Sequence, residues 1–381
     1  MGSKSQLSSP LFFAMAFFSF WSIASEASTP YYAIIDAGSG GSRLYLYQVD
    51  NSVPTAPTLT QLVLPGVNKV TPGISTDLKN CDAYIAPLFT LLNNYLATQN
   101  IPQTSVTVSL QATAGMRVIS PLDQTKCYGA VQSELKKQLS NVVVGPIKTI
   151  QGRYEGAFQW MTINYLKGNL SSGQKTVGVL EVGGGSYQMT FESPGKLQTL
   201  DFISIPFGGK SYSLFSRSYT GLGGNFSRED ATDDPNAFQV GFQLASGAVG
   251  TGDYYKGKLS ARKIIRAKPV SIPPQAKMPP LSSFIGVGLY EQVAVDLNLG
   301  TSISSTSIDQ AASVFAKQPY DVNTTNSYEF SKVYTAQLIS EMIRTWFPPT
   351  QSLKVEDTID GKAVTWTLGS AAYMVAGGLI P

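Results

Sequence analysis

Two stretches far apart in this chain carry the same pattern. "IIDAGSGGSRLYLY" occupies residues 34–47 and "VLEVGGGSYQMTFE" occupies residues 179–192. Ile34 aligns with Val179, Ile35 with Leu180, Asp36 with Glu181, Gly38 with Gly183, and Leu44 with Met189. In each copy an apolar, strand-type run ends on a carboxylate. A Gly/Ser loop follows and a second strand-type run leaves. A repeated unit of this kind calls for two similar halves, one hairpin in each.

Strand and helix patterns alternate around the two copies. Tyr31–Asp36 and Arg43–Val49 read as strands, and Cys81–Leu96 has helical spacing at Ile85, Leu88, Leu92 and Leu96. Ser105–Gln111 reads as a strand running into "ATAGMR". Helices are expected over 130–139, 153–166, 333–346 and from about Leu368. Thr176–Val182, Ser186–Glu192 and "FIGVGL" (284–289) read as strands, and the proline-rich stretch 268–280 as a loop. Alternation of this kind argues an α/β class, and 381 residues allow about two domains.

Glycines expose backbone N–H groups with no Cβ in the way, and successive N–H groups in a tight turn make an anion nest. Ser39 and Ser42 add hydroxyls. A carboxylate beside such a nest repels phosphate unless a divalent cation lies between them. Mg²⁺ and Ca²⁺ take oxygen ligands, and Mg²⁺ keeps several waters. Asp36 and Glu181 facing each other across a cleft therefore suggest a metal–phosphate site. Taken singly, each loop reads as well as a plain hairpin turn; the matched pair argues against that. "ATAGMR" supplies a third loop, with Thr113, Ala114 and Gly115 facing phosphate and Arg117 either pairing an anion or lying at the surface. Glu155 in "QGRYEGAFQW" is flanked by Gly152 and Gly156. It is either a dipole partner at a helix start or a catalytic carboxylate.

The chain has no histidine, which removes His triads, His bases and His-ligated zinc. Net charge is +3 without a clustered Lys/Arg run, so no nucleic-acid partner is expected. The first residues read as a secretory signal: Lys4, an apolar run from Leu11 to Ile23, then Ser25-Glu26-Ala27. Cleavage after residue 27 would leave a soluble, secreted protein, extracellular or periplasmic, with no stable membrane anchor. Cys81 and Cys127 form either one disulfide or two buried thiols. Asn169, Asn225 and Asn323 begin N-x-Ser/Thr sequons.

Taken together, these stretches resemble the apyrases, the nucleoside triphosphate diphosphohydrolases of the actin and sugar-kinase superfamily. "DAGSGGSR" resembles the family's first phosphate loop and "ATAGMR" its second. "QGRYEGAFQWMTINYL", "VGVLEVGGGSYQM" and "SRSYTGLG" resemble the next three motifs, and "TWTLGSA" and "NKVTPGIS" are also similar to family stretches. The matches keep their order over nearly the whole mature chain. The resemblance implies two RNase H-like α/β domains with an active-site cleft between them. Domain I would run over 28–152 and regain about 361–381; domain II would hold 153–360. It implies hydrolysis of nucleoside tri- and diphosphates at the terminal phosphate, assisted by Mg²⁺ or Ca²⁺. By the same resemblance Glu155 is the general base, Ser186 and Gln188 position the attacking water, and Asp36 and Glu181 hold the metal through water. The phosphate contacts are Gly38, Ser39, Gly40, Gly41, Ser42, Arg43, Thr113, Ala114, Gly115, Gly183, Gly184 and Gly185.

The chain departs from the family's pattern at three places. Gly40 stands where Thr or Ser is usual, Glu181 replaces an aspartate, and Arg217 replaces a common histidine. Tyr290, just after "FIGVGL", and Trp346 are the candidates for holding the nucleobase; the alternative is that both are core aromatics. A sugar or acetate-type kinase, an exopolyphosphatase and a nucleotide-binding module without turnover are the competing functions.

Overall fold

The computed structural model describes residues 30–53, 56–194, 200–326 and 328–381. The expected signal segment 1–27 lies outside the described residues. β1 (Tyr31–Gly38) and β2 (Gly41–Asp50) form the first hairpin, with Gly38 opposite Gly41. β3 (Thr58–Leu62) and the short β4 (Lys69–Val70) pair with β2. Helix α1 (Cys81–Thr98) leads to β5 (Val106–Ala112), which runs parallel to β1. The single turn α2 (Ala114–Arg117) precedes α3 (Pro121–Gln138) and β6 (Val143–Thr149). α3 starts well before the expected Ala130. Ser120 caps it by accepting the Asp123 N–H, Pro121 takes its first turn, and its polar first half hid the helical period. The first sheet has the order β3-β2-β1-β5-β6. Cys81 and Cys127 form a disulfide that ties α1 to α3.

The second half opens with α4 (Gly152–Leu166) and α5 (Asn169–Ser172), then the hairpin of β7 (Gly178–Val182) and β8 (Ser186–Glu192). A further hairpin follows, β9 (Phe202–Phe207) with β10 (Lys210–Thr220). Next come α6 (Gly224–Glu229), α7 (Tyr254–Arg266), β11 (Phe284–Gly288), α8 (Leu289–Asp296), β12 (Ser302–Ile303) and α9 (Ser305–Phe315). α10 (Lys332–Trp346), β13 (Leu353–Val355) and α11 (Trp366–Val375) complete it. The second sheet has the order β12-β13-β11-β7-β8-β10-β9. The repeat read from the sequence is a repeat of structure. β1 pairs antiparallel with β2 and parallel with β5, as β7 does with β8 and β11.

Strand alternation distributes the core. Ala33, Ile35 and Ala37 of β1 pack with α1 and α3, whereas Tyr32 and Ile34 face a cluster built on α4 and α11. On β7, Leu180 and Val182 pack toward α8 and α10, whereas Val179 faces that same α4–α11 cluster. One apolar cluster therefore joins residues of both sheets through α4 and α11. These helices lie close enough that a Cβ at Gly369 would stand 1.9 Å from the Phe158 carbonyl oxygen. The expected boundary at 152/153 thus falls at the start of a helix shared by the two sheets. Asp36 has the parity of Ile34, and Glu181 that of Val179. Both acids consequently sit on the faces the sheets turn toward each other.

Candidate active site

The two glycine loops meet across a cavity of about 380 Å³. Asp36, Gly38, Ser39, Gly40, Gly41 and Arg43 line one side of it, and Glu181 and Gly183–Ser186 the other, with Thr113, Ala114 and Glu155. Gly41 has φ +155°, and a Cβ there would stand 2.7 Å from the Val70 carbonyl oxygen. A Cβ at Gly184 would stand 2.6 Å from Ser39 Oγ and 2.9 Å from Asn225 Nδ2. The loops approach this closely only because Gly184 has no side chain to meet Ser39.

Two expected phosphate contacts are elsewhere. Ser42 is fully buried on the opposite face of β2, where its hydroxyl accepts from Tyr84. Its neighbours Gly41 and Arg43 face the cavity, as the period of two requires. Gly115 is buried behind the first loop, where a Cβ would be 3.0 Å from Ser39 Cα. It makes room for that loop without lining the cavity.

Helix α4 brings Glu155 to the cleft. Its two flanking glycines lie against the polar floor of β8 and β10. A Cβ at Gly152 would stand 2.2 Å from Ser218 Oγ, and one at Gly156 would stand 2.6 Å from Thr190 Oγ1. The floor is one face of adjacent strands: Gln188 lies between Glu181 on β7 and Ser218 on β10 in the sheet register. Gln188 Nε2 reaches Ser186 Oγ at 2.6 Å, Glu155 Oε2 at 3.1 Å and Ser218 Oγ at 3.2 Å. Glu155, Ser186 and Gln188 are thereby brought together, each under a tenth exposed.

Arg117, read from the sequence as either an anion partner or a surface charge, and Ser218, which that reading missed, complete this cluster. Arg117 Nη2 donates to Glu155 Oε2 at 2.5 Å, its Nε to the Ile150 carbonyl at 3.0 Å, and its Nη1 to Ser186 Oγ at 3.4 Å. Only the Arg at the end of "ATAGMR" hinted at this; its partner is 38 positions away. Both donors use Oε2, which leaves Oε1 of Glu155 for a water.

Asp36 and Glu181 are carboxyls whose cationic neighbours only partly offset their burial and mutual repulsion. Asp36 Oδ1 and Glu181 Oε2 are shut off from solvent and have no hydrogen-bond partner. Burial, then the Glu155 charge, pushes the Asp36 carboxyl up to about 7, against the opposing pull of Arg43 and a Trp366 hydrogen bond. Burial, Glu155 and Asp36 raise Glu181 well above the carboxylate range. Such a donor set fits a hydrated hard cation. Among the described residues no cluster of three or more His, Cys, Asp or Glu side chains forms a direct cage, so water would complete the shell.

Tyr290 and Trp346 do not reach the cleft. Tyr290 is fully buried in the core of the second half, and Trp346 packs on Tyr187 and Tyr219 while its Nε1 donates to the Val270 carbonyl. The phase of α8 explains the first. Leu289, Gln292 and Asp296 line a second cavity of about 240 Å³, and Tyr290, Val293 and Ala294 face inward. This cavity shares Gly184, Asn225 and Tyr328 with the first and adds Arg228 and Lys332. Arg217, the replacement for histidine, is structural: it pairs with Asp201 at 2.6 Å and donates to the Pro269 and Ser271 carbonyls.

A sequence profile of the GDA1/CD39 (nucleoside phosphatase) family matches residues 22–235. The guanosine-diphosphatase of Saccharomyces cerevisiae is 31% identical over 239 residues, 59% of this chain and 44% of that protein. The nucleoside-triphosphatase of Pisum sativum is 31% identical over 223 residues, 54% of this chain and 48% of that protein. The chain spans less than half the length of these curated relatives. Among solved structures, the nucleoside triphosphate hydrolases of Neospora caninum share the fold with a TM-score of 0.62 at 14% identity, covering 91% of this chain and 92% of that one. The Aquifex aeolicus member of the Ppx/GppA family does so with a TM-score of 0.54 at 14% identity, covering 91% and 98%.

Proposed function

Because the chain belongs to the GDA1/CD39 (nucleoside phosphatase) family, we propose that it hydrolyses nucleoside di- and triphosphates at the terminal phosphate by direct attack of water. The observation that carries this reading is the meeting of Asp36, Glu181 and Glu155 in one cavity between two glycine loops. Glu155 Oε1 takes the proton as the water oxygen bonds to the terminal phosphorus and the bridging P–O bond breaks. Ser186 and Gln188 orient that water, and Arg117 and Gln188 fix the carboxylate that receives the proton. Backbone N–H groups of the loops at 38–41 and 183–185, with Ser39 and Thr113, receive the charge that grows on the phosphoryl oxygens. Asp36 and Glu181 would hold a divalent cation through water, and such a cation polarises phosphoryl oxygens and screens their charge. Mg²⁺ and Ca²⁺ both suit oxygen donors.

The nucleoside lies in the second cavity, beside Arg228 and Tyr328, in place of Tyr290 and Trp346. Arg228 is placed for this by Asn225 Oδ1, which accepts from its Nη2 at 3.3 Å, and by the Phe330 ring, 5.1 Å away. The test is phosphate release from ATP, ADP, GTP, UTP and tripolyphosphate with Mg²⁺, Ca²⁺ or EDTA. Glu155→Ala should lose at least about two decades of kcat while retaining nucleotide binding, the range of general-base help. Arg228→Ala should raise KM for the nucleotides and leave that for tripolyphosphate unchanged. A fully active Glu155→Ala protein, or full activity in EDTA, removes the corresponding role.

A further inference from the structure

Helix α4 carries one more polar side chain into the cleft than the proton transfer uses. Gln159 is four residues beyond Glu155 and so lies on the same helix face. It is 1% exposed and lines the cavity with Asp36, Glu181 and Trp366. Its carboxamide has no hydrogen-bond partner among the described residues, although every neighbour in Ala157–Ile163 is buried too. A polar amide lining a cavity without a protein partner is satisfied only by what the cavity holds.

Other buried amides keep at least one protein partner: Gln239 and Gln337 leave Oε1 unpaired but donate through Nε2. Asn164, one turn further along α4, bonds the Trp160 and Val177 carbonyls, the Val177 N–H and Asn169. Gln188 has three partners, and Gln111 bonds Ser109 and Ser370. In the same cavity, Asp36 Oδ1 and Glu181 Oε2 are also without a hydrogen-bond partner. A phosphate group would satisfy the amide N–H and repel both acids. A hydrated divalent cation satisfies all three, because its waters donate to two carboxylates and to Gln159 Oε1.

We propose that Gln159 is a third protein contact to the water shell of a divalent cation held between Asp36 and Glu181. The proposal rests on the reading of this cavity as a cation–oligophosphate site. The test is calorimetric titration of the full chain with Mg²⁺, without nucleotide, for wild type, Gln159→Leu and Gln159→Asn, with Asp36→Asn as the control that removes a carboxylate. Loss of a shell contact should weaken Mg²⁺ binding about 10-fold in both Gln159 variants. Nucleotide affinity in EDTA should stay at the wild-type value. Gln159→Asn keeps the amide and shortens it by one methylene, so it reports even where the leucine variant fails to fold. Wild-type Mg²⁺ affinity in these variants overturns the inference and leaves the hydrolase reading standing. A loss confined to nucleotide affinity in EDTA also overturns it, making the amide a substrate contact. A wild-type protein that binds no Mg²⁺ overturns both this inference and the cation's place in the proposed function.

Discussion

Asp36 illustrates what the site costs at the scale of a residue. Its Oδ1 is buried without a partner, and its carboxyl is pushed up to about 7, chiefly by burial. Uncompensated buried charge opposes folding. At pH above the raised value of about 7, Asp36→Asn should therefore raise Tm in EDTA while abolishing phosphate release, and a lower Tm there would refute the view of Asp36 as an incompletely compensated charge. Glu155 differs, because Arg117 supplies its counter-charge at 2.5 Å. The acid in the motif was plain in the sequence, but its cation was not. The same holds for Ser42 and Tyr290: the residue types suited the roles, and one step of strand parity or helix phase turned both side chains away.

At the scale of the element, α4 decides whether the carboxylates meet. It is buried on nearly every side, so its sequence lacks a polar face to orient it. The two glycines orient it by contact, resting on Ser218 and Thr190. A Cβ at Gly156 would also stand 3.1 Å from Gln188 Cβ and Ser216 Oγ. Gly156→Ala should thus destabilise by about 1–3 kcal/mol and, by displacing Glu155, lower kcat more than 10-fold. Gly129 is the matched control, exposed within α3 with nothing within 4 Å of an added Cβ. Gly129→Ala should raise stability by about 0.5–1 kcal/mol with kcat unchanged. Chemical denaturation with initial-rate measurements checks both, and equal effects of the two substitutions would contradict the packing argument.

On the scale of the whole molecule, the second half is pinned by a buried ion network away from the cleft. Lys258 Nζ bonds both Asp309 oxygens, at 2.7 and 2.9 Å, and lies 3.1 Å from Glu341 Oε1; Arg344 and Arg262 pair with the same two acids. Hydrogen bonds and cationic partners overcome burial to hold both carboxyls below their ordinary values. Their contribution is present above the ordinary carboxylate range, about 4, and is lost as pH falls through the lower folded values. Stability should drop below about pH 4 in wild type and less steeply in Lys258→Met. The sequence by itself determined the repeat, the class of the fold, the acids and glycines of both loops, and the glutamate on its helix, because each is a local pattern of residue types. Tertiary structure alone decided that Arg117 faces Glu155, that Gln159 stands unpaired beside Asp36 and Glu181, and that the aromatic candidates belong to the core. The strands carrying these loops are buried on both faces and α4 on nearly all sides, so their apolar runs do not announce which way a side chain points. Only the packing of two sheets about α4 and α11 fixes that direction.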